Sequence, residues 1–395
     1  MSAPFAAIPL APPDPIMGVT EAFNADPNPD KANLGVGVYQ DDTGKVPLLA
    51  CVRAAEARIG AALSPRGYLP MDGLVAYNDA VKTLVLGDDP ELQARSLTVQ
   101  CLGGTGALRV GAEFLSQSAG LTKVLISTPS WENHAALFAR AGFEIGQYRY
   151  YTSDGVDVAG MLDDLRAAAP GTVALLHACC HNPTGCDLTA SDWEQVIDVI
   201  EAGGLVPFLD LAYQGFSQGL VEDGAVVRQF ARRGLSFVVA NSFSKSFALY
   251  GERVGGLTIV TESPQEAKRL LSQVKAGVRA LYSNPPTHGA QVVATVLGDP
   301  ELRALWEDEL TGMRERIKRM RARLAHGLAA AGVSRDMSFI ERQVGMFSYT
   351  GLSVEQMRRL REEFSVYGTD AGRVCVAAVN ERNVDRVVAA IAAVV

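Results

Sequence analysis

The sequence predicts an α/β fold, with a mostly parallel central sheet in a large domain and a smaller α+β domain after it. Between residues 50 and 300, amphipathic helical patterns alternate with short apolar runs, which is typical of parallel strands that helices cover on both faces. After residue 300 the pattern changes to long charged helices with two short strand-like segments. The apolar runs are KVLIST, TVALLHACC, LVPFLDLAY, LSFVVANSF and GGLTIV.

The two ends of the chain have patterns of their own. Residues 1–15 contain five prolines. Because each proline fixes φ and removes a backbone donor, we expect an extended arm there. Near the other end, ELRALWEDELTGMRERIKRMRARLAHGLAAAG predicts one long charged helix. A short strand around GMFSYTGL, a helix around SVEQMRRLREEFSV, a strand at RVCVAAV and a terminal helix complete the smaller domain.

Composition narrows the class of protein. A chain of 395 residues with 48% hydrophobic composition can bury a large core. No apolar stretch reaches the roughly 18 residues that a membrane helix needs, and the first basic residue is Lys31, so we expect a cytoplasmic protein without a membrane span. The net charge of −8 disfavours nucleic acid as a partner, because both would be anionic. An acidic substrate must therefore be attracted by local arginines.

Cysteines are scattered along the chain and predict reduced thiols, not a disulfide framework. Three of them lie close to His181, which superficially suggests a metal site. Their spacing matches no zinc pattern, and adjacent cysteines on a strand would point to opposite faces. We therefore predict that no metal is bound. The six cysteines are Cys51, Cys101, Cys179, Cys180, Cys186 and Cys375.

Polar groups that suit catalysis follow several of the predicted strands. The glycine-rich string GGTGALRVGAEFLSQ opens a helix whose backbone amides and dipole suit a phosphate. Asp210 and Tyr213 follow one apolar run. Asn182 follows another, and Lys245 a third. Ligands of such sheets bind where strands end and helices begin, so we expect one joint site.

Each of these groups also has an ordinary structural interpretation when it is taken alone. The glycine-rich helix start can be a tight turn, Asp210 a helix cap, and Lys245 a solvated loop residue. Their combination at the strand ends of one sheet favours the functional interpretation. We expect His134 to lie near the site, behind Trp131. Two other histidines are expected to be structural or surface residues, His288 and His326.

The motifs resemble those of a known enzyme family. From about residue 14 to the C-terminus, nine strings resemble, in the same order, the aspartate and aromatic (tyrosine) aminotransferases of the class I pyridoxal-phosphate family. Several of the strings are more similar to the bacterial tyrosine branch than to the aspartate branch. The nine strings are NLGVGVYQDDTGKVP, YLPMDGL, GGTGALRVGAEFL, PSWENH, LLHACCHNPTG, FLDLAYQGF, NSFSKSFALYGERVGG, YSNPPTHGAQVV and GMFSYTGL.

The resemblance implies an architecture and an assembly. The implied fold is that of the fold-type I pyridoxal-phosphate transferases, with a large cofactor-binding domain at residues 46–312. Residues 16–45 and 313–395 would form the small domain, which closes over the substrate. The implied active unit is a homodimer with shared active sites, and the arm at residues 1–15 would cross to the partner subunit.

The resemblance also implies roles around the cofactor pyridoxal 5'-phosphate. Lys245 would bond covalently to the cofactor and then act as general base, and Asp210 would keep the pyridine nitrogen protonated. Tyr213 and Asn182 would hydrogen-bond the phenolic oxygen of the ring, on which Trp131 would stack. The implied phosphate cradle comprises Gly103, Gly104, Thr105, Ser242, Ser244 and Arg253, with Tyr68 from the neighbouring subunit.

Two arginines would hold the carboxylates of the substrate. Arg373 resembles the bidentate clamp on the α-carboxylate, and Arg279 resembles the arginine that the partner subunit lends to a side-chain carboxylate. Further substrate contacts are implied for Gly37, Trp131, Asn182 and Phe347.

The donor preference is the harder question. Val38, Thr105 and Asn284 resemble the aspartate enzymes, but three other pocket positions are less polar or smaller than in those enzymes. We therefore favour a transaminase of broad range that passes the amino group of aromatic amino acids or aspartate to 2-oxoglutarate. The alternatives are a strict aspartate aminotransferase, a decarboxylase or β-lyase of the same fold, and a non-catalytic regulator. The three positions are Gln40, Val46 and Gly67.

Overall fold

The computed structural model describes residues 4–11, 17–153 and 155–395. Its strands are β1 (Ala32–Asn33), β2 (Ser96–Leu102), β3 (Lys123–Thr128), β4 (Glu144–Arg149), β5 (Tyr151–Thr152), β6 (Gly155–Val156), β7 (Val173–His177), β8 (Val206–Leu211), β9 (Phe237–Ser242), β10 (Val254–Val260), β11 (Phe347–Tyr349), β12 (Val366–Tyr367) and β13 (Arg373–Cys375). Its helices are α1 (Met17–Ala25), α2 (Ala50–Ala61), α3 (Val75–Leu86), α4 (Pro90–Ala94), α5 (Gly103–Gln117), α6 (Asn133–Arg140), α7 (Val158–Arg166), α8 (Ala190–Gly203), α9 (Leu220–Asp223), α10 (Ala225–Arg232), α11 (Pro264–Leu281), α12 (His288–Gly298), α13 (Pro300–Ala330), α14 (Phe339–Arg342), α15 (Val354–Phe364) and α16 (Val384–Val394).

A seven-stranded sheet organises the fold, in the order β2-β10-β9-β8-β7-β3-β4. Strand β10 is antiparallel to both of its neighbours, and the other adjacent pairs are parallel. The five apolar runs of the sequence form β3, β7, β8, β9 and β10. The prediction of a mostly parallel α/β sheet is therefore confirmed.

Two strands of this sheet were missed in the sequence, β2 and β4. The β4 string EIGQYR lies at the edge of the sheet and is half exposed, so it lacks a continuous apolar signal. The β2 string SLTVQCL alternates polar and apolar residues although it is almost fully buried. Its polar groups find partners in the tertiary structure, since Thr98 Oγ1 lies 2.9 Å from Thr258 Oγ1 and Gln100 donates to Pro286 O at 2.6 Å.

Hydrophobic clusters cover both faces of the sheet. Successive side chains of a strand point to opposite faces, and Phe208 and Leu209, both fully buried, belong to different clusters. The carboxyl ends of β3, β7, β8 and β9 meet at one edge, and His177 pairs in register with Asp210 there. This edge is the place where the fold can assemble a site from several loops.

The C-terminal part of the chain folds as predicted, with one change. The long charged helix is α13, and a strand begins at Arg373. This strand ends after Cys375 and gives way to a turn of 3₁₀ helix at residues 376–378, so RVCVAAV is not one continuous strand. Strand β1 pairs with β12, which joins the segment after α1 to the C-terminal region. The domain boundaries stay a prediction.

The N-terminal arm is described only in part. Residues 4–7 form a turn, and residues 8–11 continue without regular secondary structure. Residues 1–3 and 12–15 of the predicted arm, and residue 16 of the predicted small domain, lie outside the described residues. Large apolar side chains of the arm are exposed, Phe5, Ile8 and Leu10. Within the described part of the chain, no helix is long and apolar enough to cross a membrane.

A buried arginine of α13 fastens the segment that leads into β11. Arg321 is only 2% exposed and donates to four carbonyl oxygens and to Ser348 Oγ, at distances of 2.6–3.2 Å. One of these oxygens belongs to Phe347. In turn, Val344 N donates to Gly185 O at 2.7 Å, so this segment also holds the turn after Asn182. Arg321 thereby helps to position two predicted site residues, Phe347 and Asn182, although it is not itself a predicted site residue.

Candidate active site

A cavity of about 720 Å³ opens at the carboxyl edge of the sheet. Residues from β8, from the loops after β7 and β9, from the start of α5 and from the C-terminal region contribute to its wall. The predicted site residues that line it are Gly37, Gly104, Thr105, Trp131, Asn182, Asp210, Tyr213, Ser242, Ser244, Lys245, Arg253, Phe347 and Arg373.

The start of α5 forms a concave, electropositive end of the cavity. Gly103 has φ +70°, and a Cβ atom at this position would lie 2.6 Å from Arg253 Nη2. A Cβ on Gly104 would lie 3.1 Å from the Cβ of Ser242. Arg253 Nη1 donates to Ser244 Oγ at 3.4 Å. Free amides at a helix start, hydroxyls and a guanidinium together suit a phosphate.

Asp210, near the end of β8, is buried and ionised. Its Oδ2 lies 2.9 Å from His134 Nε2, whereas Oδ1 has no hydrogen-bond partner among the described residues. Burial acts to raise the pKa of this carboxyl, but the hydrogen bond with His134 and nearby groups that include the Lys245 amine outweigh it, so the pKa is lowered from its ordinary value. The free oxygen can accept a hydrogen bond from a ligand that enters the cavity.

Behind Asp210 stands a row of histidines. The ring centroids of His134 and His177 are 5.0 Å apart, and those of His177 and His181 are 4.3 Å apart. Burial lowers the pKa of His177 to about 3 and that of His181 well below its ordinary value. Both rings are therefore neutral at neutral pH, whereas the Asp210 carboxylate beside them is ionised.

Only one histidine of this row was expected near the site from the sequence. His134 lies behind Trp131 as expected, with the rings 5.2 Å apart in an edge-to-face arrangement. His177, which lines the cavity, was missed. The sequence feature that could have identified His177 is its position at the end of a buried strand, and the structure pairs it in register with Asp210.

Lys245 supplies an amine to the cavity. Its Nζ lies 4.7 Å from the centroid of the Tyr213 ring and makes no hydrogen bond or ion pair within the described chain. Burial lowers the pKa of this amine, Asp210 partly opposes the shift and the nearby Arg253 adds to it, so that the pKa is about 8. About a tenth of such an amine is neutral, and therefore nucleophilic, at about pH 7.

Tyr213 and Asn182 form a short polar pair on the same wall. Asn182 Nδ2 donates to the Tyr213 hydroxyl at 3.4 Å. Burial raises the pKa of Tyr213 well above its ordinary value, although Arg373 opposes the shift. The phenol therefore stays protonated at neutral pH and can donate a hydrogen bond into the cavity.

Arg373 is a buried cation with spare hydrogen-bonding capacity. It is 1% exposed, and it donates to Asn182 Oδ1 at 3.0 Å and to Gly35 O at 2.8 Å. Its Nε has no partner among the described residues. The guanidinium lies 4.4 Å from the ring centroid of Phe347, against which Gly37 packs so closely that a Cβ would come within 2.6 Å. An anionic ligand can use the unsatisfied donors.

Several predicted residues lie outside the cavity wall. Tyr68 is 97% exposed, and Arg279 is exposed in the last turn of α11. Gly103 supports the cavity through Arg253 without lining it, and of the positions discussed for donor preference Val38 and Thr105 line the wall. Four others do not line it, Asn284, Gln40, Val46 and Gly67. Tyr68, Arg279 and these four residues are therefore not part of the cavity wall of their own chain.

The cysteine interpretation needs one correction. Cys179 and Cys180 follow β7 and are not on a strand, and Cys180 has φ +53°. They approach Asp223, but its oxygens already accept hydrogen bonds from the amides of the loop at residues 215–219. In a second cluster, His177 and Asp210 line the cavity and His134 lies behind them. The absence of a bound metal stays a prediction.

The other two singled-out histidines lie away from the cavity. His288 is half exposed, and its Nδ1 lies 3.0 Å from Glu252. His326 is exposed, and its Nε2 lies 3.3 Å from Glu341. Both positions fit the structural or surface role that the sequence suggested.

Comparisons with known proteins agree on the family. Residues 29–391 match the family model described as aminotransferase class I and II. The chain is 56% identical over 391 residues to the aspartate aminotransferase of Pseudomonas aeruginosa, with 98% of each chain covered. It also superposes on an aromatic-amino-acid aminotransferase from Burkholderia pseudomallei, covalently bound to pyridoxal phosphate, with a TM-score of 0.97, 56% identity and 99% of each chain covered.

A third relative combines two substrate classes in its description. It is a psychrophilic aromatic amino acids aminotransferase from Psychrobacter sp. B6, cocrystallised with aspartic acid, with a TM-score of 0.96, 43% identity and 99% of each chain covered. All three relatives are aminotransferases by name, and each matches over nearly its whole length. The chain belongs to the class I and class II aminotransferase family.

Proposed function

We propose that this chain is a pyridoxal-phosphate-dependent transaminase that moves amino groups from aromatic amino acids and from aspartate to 2-oxoglutarate. The observation that carries the proposal is one cavity that joins an unpaired lysine amine, a buried carboxylate with a free oxygen, and a buried arginine with a free donor. The sites would be shared between two copies of the chain. A cytoplasmic location also stays a prediction.

Three features of the cavity support the fit of pyridoxal phosphate. The glycines at the start of α5 leave room that a Cβ would fill, beside Arg253 and Ser242, where the phosphate would be held. Among the described residues Asp210 Oδ1 has no hydrogen-bond partner, so it is free to accept a hydrogen bond from a protonated ring nitrogen. The cavity volume of about 720 Å³ falls within the usual range for ligands of this size.

The roles of the residues follow from their chemistry. When bound, pyridoxal phosphate supplies an electron sink for the electron pair released at the substrate's α-carbon. Asp210, ionised at neutral pH, holds a proton on the ring nitrogen. Lys245 would hold the cofactor covalently, and its amine, once released, would move the proton of the substrate's α-carbon. Tyr213 and Asn182 would donate hydrogen bonds to the phenolic oxygen, and Trp131 would cover the ring.

Arg373 is the proposed anchor of the substrate's α-carboxylate. Its fork of donors matches a carboxylate, and its burial beneath Phe347 and beside Gly37 excludes water from the pair. Asn182 Oδ1 holds one arm of the guanidinium, so the donors are oriented before the substrate enters. This anchoring serves every α-amino acid, whatever its side chain.

The donor range is supported from two directions. Two relatives at the same identity of 56% carry different names, one aspartate and the other aromatic-amino-acid aminotransferase. Arg279, kept for a side-chain carboxylate, lies outside the cavity of its own chain and would come from the partner subunit. A strict aspartate aminotransferase stays the alternative. A decarboxylase or a non-catalytic regulator has less support, because the sequence retains Lys245 and both arginines that resemble the carboxylate-binding pair.

A donor panel tests the substrate range. Arg279→Leu should lower kcat/KM for aspartate by about 10²-fold or more, because a charge-assisted pair in a closed site is lost. Phenylalanine, which relies on apolar burial, should be nearly unchanged. Single-turnover donor half-reactions are the measurement, since 2-oxoglutarate as acceptor would itself need Arg279. The matched control is Arg269→Leu, an exposed arginine on the same helix.

Two outcomes decide between the candidates. Equal losses for both donors would mean that Arg279 supports the architecture and does not bind the side chain. Wild-type protein without measurable turnover of phenylalanine would leave the strict aspartate aminotransferase as the function.

Subunit complementation tests the shared active site. Lys245→Ala and Arg279→Asp chains should each be inactive towards aspartate. A mixture should recover part of the activity, because one site of each heterodimer combines native Lys245 of one chain with native Arg279 of the other. Activity is measured after exchange, with heterodimer formation verified by mass. Heterodimers that form without any recovery would place both residues in one chain's site and refute the sharing.

A further inference from the structure

A partly exposed glutamate next to Trp131 faces the buried arginine of the cavity. Glu132 comes directly before α6, and its side chain is 32% exposed. Its Oε2 lies 3.9 Å from Arg373 Nη1, and it is the one carboxylate within 4.0 Å of this guanidinium among the described residues. The distance is beyond a hydrogen bond. Glu132 therefore acts on Arg373 through charge and leaves its donors free.

The charge of Glu132 bears on any anion that approaches Arg373. Arg373 is 1% exposed and its Nε is unpartnered, so an incoming carboxylate gains a buried cation and an open donor. The same carboxylate must come close to the anionic Glu132. A zwitterionic aromatic amino acid has no net charge, whereas aspartate carries one net negative charge at neutral pH. The repulsion is therefore greater for the dicarboxylate.

We propose that Glu132 is an internal counter-anion of Arg373 that weakens carboxylate binding and shifts donor preference from dicarboxylates towards aromatic amino acids. The inference rests on the proposed role of Arg373 as the α-carboxylate anchor. Glu132 acts through its charge beside Arg373 and is a specificity-determining residue, not a catalytic one. Because its carboxylate is partly exposed, salt screens its effect.

Removal of the charge tests the proposal on the holoenzyme. Glu132→Gln keeps the size of the side chain, and Glu132→Ala serves as a second variant. At low salt, about 10 mM, both variants should lower the inhibition constant of 3-phenylpropionate, a monocarboxylate probe, by about 3- to 10-fold. KM should fall for phenylalanine and fall further for aspartate. We expect kcat to change less than KM.

Salt dependence separates a charge effect from a structural one. In about 0.5 M NaCl the differences from wild type should shrink to less than about twofold, because the ions screen the partly exposed carboxylate. The matched control is Glu113→Gln, which removes a glutamate of similar exposure, 27%, from an ion pair with Arg109 away from the cavity. This control should leave the inhibition constant of 3-phenylpropionate and the KM values of both donors unchanged.

Three outcomes would overturn the proposal: unchanged inhibition constants in both Glu132 variants, a shift that persists in high salt, or the same shift in Glu113→Gln. A failure of this proposal can be told apart from a failure of the proposed function. The binding of 3-phenylpropionate to the Arg373→Leu variant tests separately whether Arg373 is the carboxylate anchor. If that variant binds the probe as tightly as wild type, Arg373 is not the anchor, and the premise fails before Glu132 is considered.

Discussion

Lys245→Ala should abolish transamination. The residue is the one amine in the cavity wall, and the loss of a positioned proton shuttle costs about 10²- to 10⁴-fold even before the covalent link is considered. Steady-state assays with aspartate and phenylalanine measure the loss. Lys268→Ala, an exposed lysine of α11, is the matched control and should retain full activity.

Chemical trapping checks the same assignment without turnover. Reduction of the holoenzyme with borohydride followed by peptide mapping should find the cofactor on Lys245. A label on any other lysine, together with an active Lys245→Ala variant, would end the assignment.

The pKa of Lys245 adds a pH dependence to this expectation. Since burial lowers the pKa to about 8, the neutral amine should increase as the pH rises to about 8 and level off above about 9. The rate at which the cofactor-free protein captures pyridoxal phosphate should follow this curve. A rate that keeps rising through about pH 10 would mean that the amine keeps its ordinary pKa.

Asp210→Asn should slow the donor half-reaction by at least about 10²- to 10³-fold, which is typical when a charge that stabilises the transition state is removed from a closed site. The isosteric amide keeps the volume of the side chain but cannot hold a proton on the ring nitrogen as an ionised carboxylate does. Cofactor binding should persist through the cradle at α5 and Arg253. Single-turnover absorbance changes and cofactor titration measure the two effects separately.

The same variant should also change Lys245. The carboxylate of Asp210 raises the pKa of this amine, so its loss should move the capture curve of the cofactor-free protein to lower pH. Asp163→Asn, an exposed aspartate in an ion pair with Arg166, is the control and should alter neither property. A half-reaction within a few-fold of wild type would mean that Asp210 is not the partner of the ring.

Local patterns were sufficient for the central architecture. Short apolar runs between amphipathic helical patterns are typical of strands that helices cover on both faces. The five runs of this kind all lie in the sheet. Because parallel strands share a carboxyl edge, the polar residues that follow them were expected to converge. Asp210, Lys245, Asn182 and the start of α5 do line one cavity.

Contacts between segments that are distant in the chain could not be predicted from these local patterns. Strand β4 carries a polar sequence because it lies at the sheet edge, and edge position depends on strand order, not on local composition. In the sequence Arg321 could not be distinguished from the other charged residues of the long helix. In the structure it is buried and holds the segment that leads into β11. Its burial is possible only because carbonyl oxygens far along the chain accept its donors.

The amino-acid order alone was enough to predict five of the seven strands of the main sheet, the long helix and the chemical groups at the sheet edge, since these depend on residues that are neighbours in the chain. The three-dimensional arrangement was needed for the row of histidines behind Asp210, the contact of Glu132 with Arg373, and the exposure of Tyr68 and Arg279. Each depends on distances across loops that no local periodicity encodes. Electrostatic effects such as the lowered pKa of Lys245 arise from burial, which exists only after the chain has folded.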